Sequence, residues 1–330
     1  MFKKILSTTS LSLILSTNVI AATSGVTIPS GYFLEEYSTG AVLMINSSQD
    51  YHAIYVDLDK AKLNMGNLEK SSRQTNEWHT EYVRKDKDTF YSEYNRDKTF
   101  GFVNGQFFST KHWSRSAISF AVKSNGVVYQ DKNDKDGKRE RIIYSLLQKA
   151  GKYYLKFGYS PNDLNNYTDL FVAWHRYEKL STSDGLNSDN RTYMGVIPRN
   201  ESCNSEVSTC ELKSIVFLIA INKTISQSLD ELHKFGIKYG NMARFDSGGS
   251  TQYVTEHNGY NNWEGRNLPH MIEILNKWLL TWFESIIIKK TRNCEFFLSS
   301  NSFKYFETWS GNFFSIITNT LISCCFIIFI

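Results

Sequence analysis

The chain alternates apolar and polar positions more often than it repeats them at helical spacing. His52 to Asp59 reads as a strand, which continues past a turn at Leu63 to Met65. Thr75 to Tyr94 is polar, with Trp78, Tyr82, Phe90 and Tyr94 near helical spacing. A short apolar strand follows in TFGFVNGQFFS, broken by Gly101 and Asn104-Gly105. Ala117 to Val122 and Gly126 to Tyr129 flank Ser124-Asn125-Gly126, a hairpin signal. Tyr193 to Ile197 and Ile215 to Ile221 are strands on either side of a polar loop. In SQSLDELHKFG, Ser228 and Glu231 fit a capping box and Gly236 stands where a helix would end. Met242 to Phe245 reads as a buried strand, and Leu268 to Trp278 as a closing strand or helix. These elements predict an α+β fold: a mixed, mostly antiparallel sheet with packed helices in a single catalytic-type domain.

Composition narrows the classes. Of 330 residues, 41% are hydrophobic and 15% aromatic, which supports a sizeable core and excludes a disordered chain. With 4 Pro and 19 Gly the chain is neither collagen-like nor Pro-rich. A mean hydropathy of -0.36 excludes a multi-span membrane protein. The net charge is +4, and the ends supply most of it, so the middle gives no electrostatic case for nucleic acid. The run KNDKDGKRERI mixes both signs and reads as a solvated turn.

The ends differ from the middle. Lys3 and Lys4 precede an uncharged stretch from Ile5 to Ile20, and Val19-Ile20-Ala21 stands before a cleavage point. Residues 1–21 therefore read as a secretory signal peptide, and the chain is expected to be exported to a periplasmic, extracellular or surface location. Phe313 to Ile330 carries eighteen uncharged residues, close to a membrane span in length. Residues 279–330 form an atypical hydrophobic tail, read either as a membrane anchor or as an accidental extension of the frame. That leaves 22–278 as the domain. Cys203 and Cys210 lie in the polar loop RNESCNSEVSTCELK, where an oxidising compartment favours a disulfide. The alternative, a metal site, lacks a nearby His and the usual spacing.

The strongest local chemistry is ARFDSGGSTQYV. Asp246 follows an apolar strand, and Gly248, Gly249 and Ser250 follow it. An acid at a strand end can act as acid, base or ligand holder, and a Gly-Gly turn can form an anion nest. The other reading is a turn in which Asp246 caps its own backbone. Asn104-Gly105 in FVNGQFFS is either a tight turn or part of a site. Arg191 in DNRTYMGV and Arg266 in EGRNLP could each hold a phosphate or carboxylate bidentately, or pair with a surface acid.

Taken in order, these four segments resemble the phosphodiester glycosidase family, whose pattern runs N-G-G-F-F, R-T-A-I-G, D-G-G-G-S and R-x-V-P-N. This chain has N-G-Q-F-F from Asn104, R-T-Y-M-G from Arg191, D-S-G-G-S from Asp246 and R-N-L-P-H from Arg266. The resemblance spans roughly Gly31 to Trp278. It departs at Gln106, at Tyr193-Met194, at Ser247 and at His270. The resemblance implies hydrolysis of a sugar-1-phosphodiester in a surface or wall glycoconjugate. It assigns Asp246 and Asn104 to catalysis, and Gly105, Arg191, Thr192, Gly248, Gly249, Ser250 and Arg266 to substrate binding. No cofactor is expected, and a divalent metal is left open. The expected partner is a phosphorylated glycan or sugar phosphodiester, with the tail offering a route to membrane association. A non-catalytic module that holds phosphorylated glycans is the alternative, motivated by Gln106 and Ser247.

Overall fold

A computed structural model describes residues 26–72, 80–94, 99–131, 143–175, 186–261 and 265–277. All of these belong to the compact unit Met1–Leu279. The proposed signal peptide, the KNDKDGKRERI turn and the tail beyond 277 lie outside the described residues.

The architecture is built from β-strands, which corrects the α+β expectation. One large sheet contains β1 (Tyr32–Tyr37), β2 (Ala41–Asn46), β3 (Tyr51–Asp57), β10 (Ile143–Lys149), β11 (Lys152–Phe157), β12 (Asp169–His175), β13 (Asp189–Pro198), β14 (Cys210–Lys223) and β15 (Met242–Arg244). The hairpin β8 (Val122–Ser124) and β9 (Val127–Gln130) joins it through β12. A second sheet runs in the order β17 (Gly259–Asn261), β16 (Gln252–Thr255), β6 (Thr99–Asn104), β18 (Met271–Asn276), β4 (Ala61–Asn67). A small pair joins β5 (Glu81–Val83) to β7 (Arg115–Ala117). Every strand pairing among the described residues is antiparallel. The described helices are short: α1 (Lys87–Tyr94), α2 (Pro161–Asn166) and α3 (Ile225–His233). The expected antiparallel sheet is present, but the helices are satellites and form no full layer.

In the large sheet the pairings close on themselves. From β14 they run through β11, β10, β12, β15 and β13 and back to β14. Closure removes free edges from that part of the sheet. β14 explains why the sequence here is a continuous apolar run. Ile215, Phe217 and Ile219 face the core shared with Leu63, Val103 and Ile272 of the second sheet. Val216, Leu218 and Ala220 face the opposite core, with Ile225, Leu229 and Leu232 of α3. A strand buried on both faces shows no alternation.

Several local readings change in the structure. Tyr82 belongs to β5, so only Lys87–Tyr94 of the helically spaced stretch is described as a helix. β6 runs unbroken through Gly101, where a Cβ would stand 2.5 Å from the Val254 carbonyl oxygen across the sheet. The cap of α3 is Thr224 with Gln227, in a reciprocal capping box, in place of Ser228 with Glu231. Ser228 lies inside the helix and donates to the Thr224 carbonyl at 2.9 Å. The helix starts as soon as β14 ends, and T-x-x-Q satisfies the same chemistry one turn earlier. Gly236 takes φ +75°, the left-handed backbone of a helix exit. The hairpin turn at Asn125-Gly126 has positive φ at both residues, as a two-residue β-turn requires. The closing element is a strand, β18.

Cys203 and Cys210 form a disulfide with their Cα atoms 5.9 Å apart. Cys210 is buried at the start of β14, so the bond ties the polar loop to the central strand. Reduction is expected to destabilise the domain by about 2 kcal/mol, the loop-closure value for so short a ring. That corresponds to roughly 5 °C in melting temperature for a domain of this size. Calorimetry with and without reductant checks this, and an unchanged midpoint would show that the bond does not restrain the unfolded chain.

Candidate functional site

Asp246 stands two residues past β15, where the chain leaves the large sheet. Its N–H reaches Gly105 O at 3.4 Å, and the Phe245 N–H donates to Thr192 O at 2.9 Å. The turn is fixed from below by Asn104, which is fully buried at the end of β6. Its Nδ2 donates to the Asp246 carbonyl at 2.8 Å. Its Oδ1 accepts from Thr192 Oγ1 at 2.6 Å and from the Gln252 N–H at 3.3 Å. One amide therefore joins β6, β13, β16 and the Asp246 turn. Thr192 is also fully buried. Both residues expected to touch substrate form the floor of the site.

The turn continues as a single 3₁₀ turn, Gly248–Ser250. Gly248 has φ +67°, a backbone that favours glycine. The Ser250 and Thr251 N–H groups donate to Ser247 O and Gly248 O. The Ser247 N–H donates to Asp246 Oδ1 at 3.0 Å, so the turn-capping reading of Asp246 is present too.

The Asp246 carboxyl is half-buried, and burial pushes its pKa up to about 6. Four influences oppose that rise: the Ser250 hydroxyl, the Ser247 N–H, and the charges of Arg266 and Arg244. Arg266 Nη1 donates to Ser250 Oγ at 3.5 Å, so guanidinium, hydroxyl and carboxyl form a chain. Arg244 Nε donates to Ser247 Oγ at 3.3 Å.

A third arginine joins this cluster that the sequence reading did not single out. Arg84 is buried and feels the charges of both Arg266 and Asp246. Its Nε donates to Asn267 O at 2.8 Å and its Nη1 to His112 O at 2.6 Å, with the guanidinium 4.9 Å from the Phe108 ring centre. Paired backbone bonds between Lys85 and Leu268 hold the Arg84 and Arg266 segments side by side. In the sequence Arg84 sits in the mixed-charge stretch EYVRKDKD, where nothing local distinguishes it from a solvated base.

Other expected residues lie elsewhere or serve packing. Arg191 is buried at the start of β13, with Nε donating to Lys223 O and Nη2 to Asn187 O, both at 2.8 Å. The first bond ties it to the end of β14 and the second to the chain just before β13. At Gly105 a Cβ would lie 2.2 Å from His270 Nδ1, so the glycine makes room for the imidazole. His270 Nε2 bonds Met65 O at 2.9 Å, and Gln106 N–H lies 3.3 Å from His270 Nδ1. Those partners place the ring hydrogen on Nε2, and burial lowers the His270 pKa to about 4. Gln106 turns inward and donates to Val172 O at 2.6 Å, so its side chain leaves the Asp246 turn clear. Gly249 completes the turn and is buried.

A cleft of about 420 Å³ lies away from this turn, lined by Leu58, Lys152, Arg199, Glu211 and Lys277 among others. It is at the β18 end remote from His270, and its charges largely pair among themselves. Arg199 meets Asp59 and Glu211, and Lys152 meets Glu211. The chemistry therefore concentrates at the Asp246 turn and not in this cleft. Among the described residues, no group of three or more His, Cys, Asp or Glu side chains is placed to hold a metal. Among the same residues, no helix is long and apolar enough to cross a membrane.

No protein-family model and no curated protein matches the chain. Among solved structures, it is similar to a hypothetical protein from Synechocystis, with 9% identity, a TM-score of 0.48, and coverage of 76% of this chain and 64% of that one. The chain thus spans less than two thirds of that protein's length. It is also similar to the catalytic domain of zebrafish N-acetylglucosamine-1-phosphodiester alpha-N-acetylglucosaminidase, auto-inhibited by its pro-peptide. There the identity is 13% and the TM-score 0.44, over 74% of this chain and 82% of that one. At these identities and scores neither likeness bears on what this chain does.

The raised Asp246 pKa carries a signed consequence for stability. A carboxyl whose folded pKa lies above its unfolded value stabilises the fold below the unfolded pKa, and this is lost as pH rises through the folded pKa. Burial of ionised Asp246 should thus disfavour folding by about 2 kcal/mol at pH 7, after discounting for its partial exposure. His270 works in the opposite sense, its contribution present above the usual His range and lost as pH falls toward 4. Comparing wild type with Asp246→Asn separates the two. The variant's stability advantage is expected to be smallest at pH 4, to grow through pH 6, and to level off above pH 7. A pH-independent difference in melting temperature would contradict the raised pKa.

Proposed function

We propose that this chain is an exported hydrolase that cleaves the bond between an anomeric carbon and phosphate in a sugar-1-phosphodiester of a surface or wall glycoconjugate. The observation that carries this reading is the placement of one half-buried carboxyl, Asp246, among Arg84, Arg244 and Arg266 on a glycine turn. The order of the four motif segments supports it. The signal-peptide pattern and the Cys203–Cys210 bond favour an oxidising destination.

The chemistry fits this inventory. Glycoside cleavage ordinarily needs one carboxyl to protonate a poor leaving oxygen and a second to attack or activate water. A phosphomonoester is already a stable anion when it leaves, so the demand for a general acid is small. The arginines meet the phosphate's charge as the C1–O bond breaks and its electron pair moves to the phosphate oxygen. With a pKa of about 6, Asp246 is mostly ionised at pH 7. It can steady the oxocarbenium-like carbon and accept a proton from the water whose oxygen bonds to C1. The Ser250 hydroxyl and the Ser247 N–H orient the carboxylate.

The test is turnover of a panel of sugar-1-phosphodiesters, following reducing sugar and phosphomonoester together. Equimolar release of both supports the reading. Saturable binding without turnover would make the chain a binding module instead, and neither binding nor turnover would remove the reading.

A further inference from the structure

The Asp246 turn has a second carboxylate beside it. Asp189 opens β13 and is exposed. Its Oδ2 lies 3.5 Å, and its Oδ1 3.8 Å, from the position a Cβ would take on Gly248. A Cβ at 248 would stand in ordinary van der Waals contact with this carboxylate, so the group lies directly against the turn. Its Oδ1 accepts the Asn190 N–H at 2.7 Å, which fixes the group.

An aromatic side chain accompanies it. Tyr260, on β17, is partly buried, with its ring centre 5.7 Å from that of His52. His52 is itself fixed by bonds to Tyr253 Oη at 2.7 Å and Gln49 O at 3.1 Å. Tyr260 thus stands on a rigid base. β17 pairs with β16 directly after the Gly248–Ser250 turn, with Tyr260 opposite Tyr253 and Asn261 opposite Gln252. Burial raises the Tyr260 pKa first, and the Asp189 charge adds to the rise.

A charged hydroxyl-acceptor next to a supported aromatic ring is what a pyranose asks for. The carboxylate takes hydrogens from vicinal hydroxyls, and the ring covers the apolar C–H face. A phosphate would be repelled from Asp189 and drawn to Arg84, Arg244 and Arg266. The two charge signs around one turn would therefore orient a sugar phosphodiester in one direction only.

Resting on the hydrolase reading for its substrate, we propose that Asp189 and Tyr260 form the sugar subsite of this site. Asp189 accepts sugar hydroxyls and Tyr260 walls the ring, while the arginines take the phosphate. Asp189 is a specificity residue in this scheme and takes no part in bond cleavage.

The experiment has two readouts on the full-length wild type, Asp189→Asn, Asp189→Ala and Tyr260→Ala, each checked by melting temperature. The first is saturation-transfer NMR with a panel of methyl glycosides, which carry the sugar without phosphate. The second is KM and kcat for whichever phosphodiester is turned over. The expected result is that at least one methyl glycoside binds wild type and that binding falls tenfold or more in the Ala variants. KM is expected to rise by a similar factor with kcat within threefold, and Asp189→Asn to be intermediate. Glycoside binding lost in the variants but no phosphodiester turnover by any form would uphold the subsite and remove the hydrolase reading. Turnover with no glycoside binding by wild type, or variants that bind and turn over as wild type does, would overturn the subsite. A fall in kcat at unchanged KM would also overturn it, because Asp189 would then act on the bond and not on the sugar.

Discussion

Asp246→Asn is expected to lower kcat about a thousand-fold, the middle of the range for removing a positioned acid–base group, while the protein stays folded. The substitution keeps the size of the side chain and its capacity to accept from Ser250 and the Ser247 N–H. It removes the charge that an oxocarbenium-like carbon needs and the base that a water needs. It also removes a carboxyl that burial holds near pKa 6, so the variant should melt at or above the wild-type temperature at neutral pH. The pairing of lost turnover with retained or gained stability is the signature of a functional group whose placement opposes folding. Turnover and melting on the same preparation check it. A folded variant with near-normal kcat would take Asp246 out of the chemistry.

The second large effect is expected at Asn104. Truncation to Ala leaves the Asp246 carbonyl, the Thr192 hydroxyl and the Gln252 N–H without the partner that joins them, at a fully buried position. Each unsatisfied group is worth about 1–3 kcal/mol, so a loss of about 4 kcal/mol is expected. That is roughly a 10 °C fall in melting temperature. Turnover should fall as well, because the backbone under Asp246 loses its tether, and a shift of an ångström in a reacting group lowers rate by about a hundred-fold. Asn104→Asp keeps the shape and the acceptor but presents an oxygen where Nδ2 met the Asp246 carbonyl, so it should recover little. A melting temperature within 2 °C of wild type for Asn104→Ala, by calorimetry, would mean that the turn is held by other contacts.

The strands most legible in the sequence are those whose pattern has a single cause. β3, β13 and β14 stand out because they are apolar on both faces or bordered by polar loops. The hairpin at Asn125-Gly126 was legible because its positive φ angles select those residues. The balance between sheet and helix was not legible. Phe90 and Tyr94 stack at helical spacing in α1, but Tyr82 belongs to a separate strand that only its partner β7 defines. Ring closure of the large sheet joins residues far apart in the chain, such as Trp174 opposite Arg244, and no local pattern encodes it.

The site divides in the same way. Asp246, Ser250 and Arg266 are brought together from motif segments visible in the sequence. Asn104, Gly105 and Thr192 were visible too, but they support the turn from beneath and line no open surface. Motif residues can be fixed by architecture as well as by substrate, and spacing does not separate the two. Arg191 illustrates this, with its guanidinium against the Lys223 and Asn187 carbonyls. Arg84 and Asp189 reach the turn through loop and strand placement, information that exists only once the chain is folded.

The most direct test of the central claim is hydrolysis in ¹⁸O-labelled water, with both products read by mass spectrometry. Cleavage at the anomeric carbon, directed by Asp246 with the phosphate held by the arginines, places the label in the sugar hydroxyl and leaves the phosphomonoester unlabelled. Label in the phosphate would mean that water attacks phosphorus. The chain would then be a phosphodiesterase, and the glycosidase account would be wrong.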